Sequence, residues 1–250
     1  MEKSKLNQYI RSVRLDRDKI EDFNIYPFSL PILKNLTELD FNEKVAFIVG
    51  ENGSGKSTLL EAIAVAYGFN PEGGTKNFNF STRASHSDLY EYLKLVKGIR
   101  SPKNGFFLRA ESMYNVASNI EEMDKQVRGN SIIDSYGGRG LHDQSHGESF
   151  MSIFMNRFAS DGIYILDEPE AALSPSRQMA IISRIHDLVK EGCQFIIATH
   201  SPILMAYPHS IIYEIKGKSI ENVEYERTEH YQITKEFLNN REKFLDILME

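Results

Sequence analysis

The sequence has little sulfur and no long apolar run. Its 250 residues include one cysteine, Cys193, and no stretch approaches the roughly 20 apolar residues needed to cross a bilayer. A single cysteine excludes an internal disulfide, which fits a reducing compartment. The first residues, MEKSKLNQYIRSVRLDRDK, lack the apolar centre of a secretory signal peptide. We therefore expect a soluble, cytoplasmic protein that does not insert directly into a membrane.

Positive charge is also scarce. The chain carries 29 lysine and arginine residues against 35 aspartate and glutamate residues, a formal net charge of −6. This balance argues against a strongly basic nucleic-acid protein, although a local basic surface is still compatible with it. Hydrophobic residues make up 41% of the chain, which is typical of a globular domain rather than a disordered or fibrous protein.

The length favours one substantial α/β domain over 1–250. Within it, we predict that 68–140 forms an inserted lid or helical arm. That segment is marked by the glycine- and asparagine-rich stretches GFNPEGGTKNFNF and YGGRG. It contains no sustained heptads, so we expect no long coiled coil.

Three apolar runs predict interior strands of a parallel sheet. KVAFIVG, GIYILDE and CQFIIATH are short and almost wholly apolar. Between the last two lies SPSRQMAIISRIHDLVKEG, with Ser174 as an N-cap, Pro175 at the first helical position and Gly192 as a stop. A strand, a helix and a second strand in this order predict a crossover between parallel strands.

The last 40 or so residues predict a hairpin and a helix. SIIYEIKGKSIENVEYE has the pattern of two strands that turn at Gly217 and Lys218. One amphipathic helix is predicted to follow, with an apolar face formed by Phe237, Leu238, Phe244, Leu245 and Leu248.

A phosphate-binding loop follows the first predicted strand. Its residues fit the pattern G-x-x-x-x-G-K-[ST] and stand between a strand and a helix, as that motif requires. They are Gly50, Glu51, Asn52, Gly53, Ser54, Gly55, Lys56, Ser57 and Thr58. Glycines let backbone N–H groups face phosphate oxygens, and the following helix directs its positive end at the same anion. A glycine-rich turn that only joins strand to helix is the structural alternative.

The chemistry of ATP assigns roles to two residues of this loop. We predict that Lys56 contacts the β- and γ-phosphates and contributes to catalysis, and that Ser57 ligates Mg²⁺. ATP and Mg²⁺ are therefore the predicted cofactors.

Three polar residues end the next two apolar strands. Asp167 is predicted to hold Mg²⁺ through water, and Glu168 to polarise the attacking water. A solvated acidic turn is the alternative for this pair. His200 ends the following strand, at the sheet edge where the γ-phosphate is expected, so we predict a phosphate-sensing role rather than a structural or surface position.

Four motifs stand in one order along the chain: GENGSGKST, SHGES, ILDEPEAALSP and ATHSP. Together they resemble the ATP-binding-cassette (ABC) superfamily of ATPases. The match is closer to the soluble branch, which includes chromosome-maintenance, recombination-repair and overcoming-lysogenization-defect ATPases, than to transporter subunits. The resemblance implies a P-loop NTPase fold, ATP hydrolysis and two protomers that close head to tail around two ATP molecules.

The resemblance makes SHGES the signature motif, which binds the nucleotide held by the opposite protomer. Ser145, Gly147 and Glu148 would then contact nucleotide in trans. Gln144 and His146 depart from the usual leucine and glycine. Ser145 and Glu148 also have the spacing of a capping box for a helix over 147–159, and both roles can hold at once.

Other family positions are weaker candidates. Glu111 stands where relatives carry a glutamine that links Mg²⁺ to the lid, so it is a candidate metal ligand, with a helix-start residue as the alternative. Ser174 replaces an aspartate and is explained by its capping role. Tyr26 and Phe28 could stack on adenine, but buried packing is the favoured interpretation.

Three hypotheses describe the work that ATP drives. The favoured one is a stand-alone soluble ATPase that regulates a separately encoded effector, such as a nuclease or toxin in a defence or repair system. The second is the ATP-binding subunit of a transporter. The third is an ATP-regulated DNA clamp, suggested by the excess of basic residues between Arg83 and Arg109, for which a solvated lid helix is the bland explanation.

Overall fold

Two β-sheets organise the chain in a computed structural model that describes residues 7–75, 87–111, 113–126, 134, 136, 138 and 140–250. The strands are β1 Ile10–Leu15, β2 Glu38–Asp40, β3 Val45–Gly50, β4 Leu93–Lys97, β5 Asn104–Arg109, β6 Gly162–Asp167, β7 Gln194–Ala198, β8 Ser210–Lys216 and β9 Ser219–Asn222. The central sheet has the order β5-β6-β7-β3-β8-β9 and is parallel except for β9. A smaller antiparallel sheet has the order β2-β1-β4. The predicted α/β fold with a mostly parallel sheet is confirmed.

Helices cover both faces of the central sheet. They are α1 Pro31–Lys34, α2 Lys56–Tyr67, α3 Met113–Gln126, α4 His146–Ser152, α5 Pro175–Lys190, α6 Pro202–Met205, α7 Glu229–Asn239 and α8 Arg241–Met249. The predicted crossover helix is α5, which begins with the N-cap Ser174 and with Pro175 in its first turn. Across the described ranges, no helix has both the length and the hydrophobicity of a membrane-spanning segment.

The central sheet separates two hydrophobic cores. On β3, Ala46 and Ile48 face the core formed with α2 and the smaller sheet, while Val45, Phe47 and Val49 face the core formed with α3, α4 and α5. Alternate side chains of a strand point to opposite faces, so burial on both sides requires the continuous apolar run seen in the sequence.

The segment predicted as an insertion contributes to both sheets. β4 pairs with β1, and β5 forms the edge of the central sheet beside β6. The predicted bounds 68–140 therefore enclose one strand of each sheet. Much of the remaining segment, including 76–86 and 127–133, lies outside the described residues, and the arm stays a prediction.

Two predicted helices differ in detail from the structure. The helix expected over 147–159 consists of α4 and a π-helical turn, Ile153–Arg157, and it buries Phe150, Ile153 and Phe154. The prediction of a single C-terminal helix is wrong, because the helix is interrupted at Asn240 and forms α7 and α8. The predicted hairpin is confirmed by β8 and β9, which flank Gly217.

Candidate active site

The phosphate loop joins the end of β3 to the start of α2. Its backbone passes through the left-handed region at Gly53, with φ +77°, and at Gly55, with φ +100°. A Cβ atom at Gly55 would lie 2.8 Å from Cγ2 of Ile32, so α1 packs too closely for any side chain. These constraints explain the glycines and leave the N-terminus of α2 open to an anion.

The ammonium group of Lys56 lies within the loop. It donates hydrogen bonds to the carbonyl oxygens of Gly50, at 2.8 Å, and Glu51, at 2.9 Å. Burial lowers the pKa of Lys56, while the carboxylates of Glu168 and Asp167 raise it. The two backbone carbonyls thus hold the ammonium group inside the loop, and its phosphate contact stays a prediction.

Ser57 and Asp167 meet where α2 begins and β6 ends. The Ser57 hydroxyl donates to Oδ1 of Asp167 at 3.0 Å, and the Asp167 side chain is almost wholly buried. Burial raises the pKa of Asp167 to about 6, against the opposing effects of the Arg109 guanidinium and the Ser57 hydroxyl. A hydroxyl beside a carboxylate is the donor set with which P-loop proteins hold Mg²⁺.

Arg109 completes the acidic side of the site. It ends β5 in register with Asp167, and its guanidinium lies 3.5 Å from Oδ2 of Asp167 and 2.5 Å from Oε2 of Glu61. The sequence suggested only that Arg109 belongs to a basic surface, whereas the structure places it among carboxylates. Its pairing depends on strand register, which no local pattern reveals.

Glu111 is exposed beside the buried acids. Its side chain is 86% exposed and lies 3.6 Å from the guanidinium of Arg109. Arg109 thus lies between Glu111 and Asp167, and the charge of Glu111 contributes to the raised pKa of Asp167. Its role as a metal ligand stays a prediction.

Glu168 has an uncommon backbone conformation. Its φ of +50° and ψ of +52° lie in the left-handed region, and its N–H donates to the Ala198 carbonyl at 3.0 Å. A residue other than glycine rarely adopts this conformation, and such strain is concentrated at functional sites. The turn brings Oε1 of Glu168 to 3.5 Å from Nε2 of His200.

His200 is held by both its backbone and its ring. Its N–H donates to Oε1 of Glu170 at 2.5 Å, and its Nδ1 lies 3.0 Å from Nε2 of His230. Burial lowers the pKa of His200, and the Lys56 ammonium lowers it further. Sequence reasoning missed His230, which stands 30 positions along the chain on α7.

The signature segment lies at the start of α4, on the surface. The predicted capping box is present, and both the N–H and the hydroxyl of Ser145 donate to Oε2 of Glu148, at 3.0 and 2.7 Å. A Cβ atom at Gly147 would lie 2.5 Å from the Ala172 carbonyl oxygen. Gly147 is therefore required for packing within one chain, whatever it contacts in another.

The comparisons with known proteins decide the family. The family described as an AAA domain matches residues 19–248. The chain belongs to this family of ABC ATPases. Its homologues and its fold support ATP binding and ATP hydrolysis, so this protein is an ATPase.

The relatives of this ABC ATPase share moderate identity with it. The phosphate import ATP-binding protein PstB 1 of Streptococcus agalactiae serotype III is 26% identical over 202 residues, covering 73% of this chain and 79% of the relative. The energy-coupling factor transporter ATP-binding protein EcfA2 of Methanospirillum hungatei is 29% identical over 217 residues, covering 78% of this chain and 52% of the relative.

One solved structure supports the fold of this ABC ATPase. The Smc head bound to the C-winged helix domain of ScpA has a TM-score of 0.51 and is 14% identical. The match covers 86% of this chain and 97% of that chain. The likeness extends over nearly the whole cassette and shows the shared P-loop NTPase fold.

The remaining candidate residues of this ABC ATPase are two aromatic residues and one helix cap. Phe28 packs against Tyr92, with ring centroids 4.7 Å apart, as expected of a packed aromatic. Tyr26 is 62% exposed, so the prediction that its side chain is buried is wrong. Ser174 accepts a hydrogen bond from the N–H of Arg177 and acts as the N-cap of α5.

Proposed function

We propose that this ABC ATPase hydrolyses Mg²⁺-bound ATP with Glu168 as the general base and His200 as a γ-phosphate contact. The observation that carries the proposal is the convergence of Ser57, Asp167, Glu168 and His200 at the carboxyl edge of the adjacent strands β6, β7 and β3. Ligands of parallel α/β sheets bind at this edge.

The oxygen donors fit a magnesium ion. Within the described ranges, no group of three or more histidine, cysteine, aspartate or glutamate residues could hold a metal by itself. Mg²⁺ is commonly held by one or two protein oxygens together with water and substrate phosphates, and Ser57 and Asp167 supply that kind of partial set. When bound, the ion neutralises phosphate charge as it develops.

The protein supplies the proton acceptor and two contacts for the phosphate. Glu168, about two-fifths exposed, accepts a proton from the attacking water. Lys56 exchanges its two carbonyl contacts for phosphate oxygens. Nε2 of His200 is buried and makes no hydrogen bond within the described residues, so a γ-phosphate oxygen would satisfy it.

We propose further that ATP closes two protomers head to tail. Ser145 and Glu148 are exposed at the start of α4, where a second molecule could present its nucleotide. Contacts to the γ-phosphate that exist only in the closed state would let ATP shift the equilibrium between open and closed forms by their free energy.

The work of the dimer is proposed to be the regulation of a separate effector protein. The C-terminal helices support a protein partner, because neither α7 nor α8 has a buried residue and large apolar side chains on a surface often mark protein contacts. The exposed side chains are Ile233, Leu238, Ile247, Leu248 and Met249.

A transporter subunit is the second candidate function. It is favoured by the names of the two relatives above, one a phosphate import protein and the other part of an energy-coupling factor transporter. On this alternative the effector would be a membrane permease encoded by another gene.

The DNA clamp has less support than either candidate. Lys94 lies 2.7 Å from Asp16, and Lys103 and Arg100 lie 2.8 and 3.6 Å from Asp161. Arg109 is committed to buried carboxylates, and Arg83 lies outside the described residues. Most of the basic groups that suggested a clamp are thus already paired with acidic groups of the same chain.

The test is capture of the partner by a variant that binds ATP without hydrolysing it. Glu168→Gln should slow turnover by about a hundredfold or more while retaining ATP. A pull-down with this variant should recover a soluble protein with ATP and lose it without ATP. Recovery of a permease would establish the transporter function instead, and wild-type turnover in Glu168→Gln would remove Glu168 as the base.

A further inference from the structure

A second histidine contacts the ring of His200. Nδ1 of His200 and Nε2 of His230 are 3.0 Å apart, and the two ring centroids are 5.2 Å apart. His200 follows β7, whereas His230 is the second residue of α7. The proposed chemistry uses only Nε2 of His200 and gives this contact no role.

The direction of the hydrogen bond follows from the surrounding groups. Nε2 of His200 lies 3.5 Å from Oε1 of Glu168, and an ionised carboxylate can only accept a hydrogen. A hydrogen on Nε2 of His200 is therefore favoured, and a neutral ring then has its lone pair on Nδ1. His230 must supply the hydrogen between the rings from its own Nε2.

Both rings lie in surroundings that disfavour the charged form. Burial and the nearby Lys56 ammonium lower the pKa of His200, although Glu168 opposes them. Burial also lowers the pKa of His230 and is the largest effect on it, although the charges of Glu214, Glu229 and Glu51 act to raise that pKa. With its hydrogen on Nε2, a neutral His230 has a bare Nδ1, and that buried atom makes no hydrogen bond in the described chain.

The first turn of α7 is anchored where His230 lies. Thr228 is fully buried and accepts a hydrogen bond from the N–H of Tyr231 as the N-cap. The buried carboxylate of Glu214, on β8, accepts from the N–H of Glu229 at 2.7 Å. These two contacts fix the backbone on either side of His230, so its ring is presented to His200 in one place.

We propose that His230 is a positioning residue that fixes the tautomer of His200, keeping the hydrogen of His200 on Nε2, toward Glu168 and the γ-phosphate. The proposal rests on the phosphate contact proposed for His200. A ring nitrogen acquires its hydrogen according to the bond made by the other nitrogen, and a donor oriented in advance needs no reorganisation during the reaction.

The test compares two substitutions of His230. His230→Leu removes the donor and should lower kcat about tenfold, as the loss of an orienting partner of a histidine does, with KM for ATP unchanged. His230→Gln places an amide donor near the same position and should restore most of the turnover. His186→Gln, on the exposed face of α5, is the matched control and should behave as wild type.

The tautomer is read directly from the ¹⁵N chemical shifts of the His200 ring. We expect hydrogen on Nε2 in the wild type and in His230→Gln, and a mixture of both forms in His230→Leu. Hydrogen on Nδ1 in the wild-type protein would overturn the proposal, and this measurement needs no variant to fold.

The kinetic outcomes separate the positioning role of His230 from the phosphate contact proposed for His200, on which it rests. Equal losses in His230→Leu and His230→Gln would mean that His230 only packs, and unchanged turnover in His230→Leu would also overturn the proposal. His200→Ala tests the phosphate contact itself. If His200→Ala loses turnover while His230→Leu does not, only the positioning role fails; unchanged turnover in His200→Ala removes both.

Discussion

Ser57 and Asp167, 110 positions apart in sequence, are joined by a hydrogen bond of 3.0 Å between the Ser57 hydroxyl and Oδ1 of Asp167. The bond ties the first turn of α2 to the end of β6. It therefore sets the distance between the phosphate loop and the acidic strand, and it brings together the two oxygens proposed for Mg²⁺.

Removal of the Ser57 hydroxyl should weaken the metal requirement of the site. Ser57→Ala is expected to lower ATP turnover about tenfold and to raise the Mg²⁺ concentration needed for half-maximal rate, because one oxygen donor is lost. Steady-state rates measured across a Mg²⁺ titration give both values. Ser183→Ala, an exposed serine on α5, should reproduce the wild-type curve, and an unaltered curve for Ser57→Ala would contradict the assignment.

Asp167 should make the metal-free protein less stable at neutral pH. Its pKa is raised from 3.8 to about 6, so the folded state binds its proton more tightly than the unfolded state. The stability that this tighter proton binding contributes is complete below pH 3.8 and is lost as pH rises through 6. Asp167→Asn should therefore gain about 3 kcal/mol over the wild type at pH 7.5, while losing ATPase activity.

The comparison for Asp167 uses urea unfolding in the absence of nucleotide and Mg²⁺ at several pH values. The difference in the free energy of unfolding between Asp167→Asn and the wild type should grow between pH 4 and pH 6, the interval between the ordinary and the raised pKa of Asp167. Asp187→Asn, on the exposed side of α5, should show no such change. A less stable Asp167→Asn at pH 7.5 would show that Arg109 and Ser57 outweigh the cost of burial.

Arginine at position 145 should separate nucleotide binding from dimerisation. Ser145 is exposed, so Ser145→Arg should fold and bind ATP as the wild type does, yet block the approach of a second nucleotide. Light scattering in the Glu168→Gln background with ATP should detect monomers only. The control Ser145→Ala removes only the helix cap, so it should lower the free energy of unfolding by about 1 kcal/mol and still dimerise. If Ser145→Arg forms dimers, Ser145 is a helix cap and nothing more.

Gln194 should be one of the costliest residues to replace outside the active site. Its buried side chain accepts from the N–H groups of Tyr9 and Ile10, at 2.8 and 3.0 Å, and donates to the Ile10 carbonyl at 2.8 Å. Gln194→Leu leaves these backbone groups buried without partners and should lower the free energy of unfolding by about 3 kcal/mol. Gln232→Leu, on exposed α7, should change it little, and a stable Gln194→Leu would mean that β1 finds other partners.

The elements around the phosphate loop were predictable because their signals are local. β3, β6 and β7 are continuous apolar runs, and α5 carries its own cap and proline. Parallel strands end at one sheet edge, so the residues after each strand could be placed together before any distance was known.

The smaller sheet and the paired charges were not predictable in the same way. β1, β2 and β4 mix buried with exposed residues, and they pair across long stretches of chain that no local pattern connects. The ion pairs of Arg109 depend on the register of β5 against β6, and the contact of His230 depends on the path of the chain through β8 and β9. The break at Asn240 had a local signal in the pair Asn239-Asn240, which favours a turn over a continuous helix.

The pairing of β3 with β7 has a consequence for synthesis. Val45 lies opposite Phe195, so the strand that precedes the phosphate loop gains this neighbour only after Phe195 has been made. Contacts between distant positions form late because a long loop must close first. During translation, the phosphate loop would therefore emerge from the ribosome well before the sheet that holds it can close, and ATP would first meet a complete site only after β7, His200 and β8 have been made.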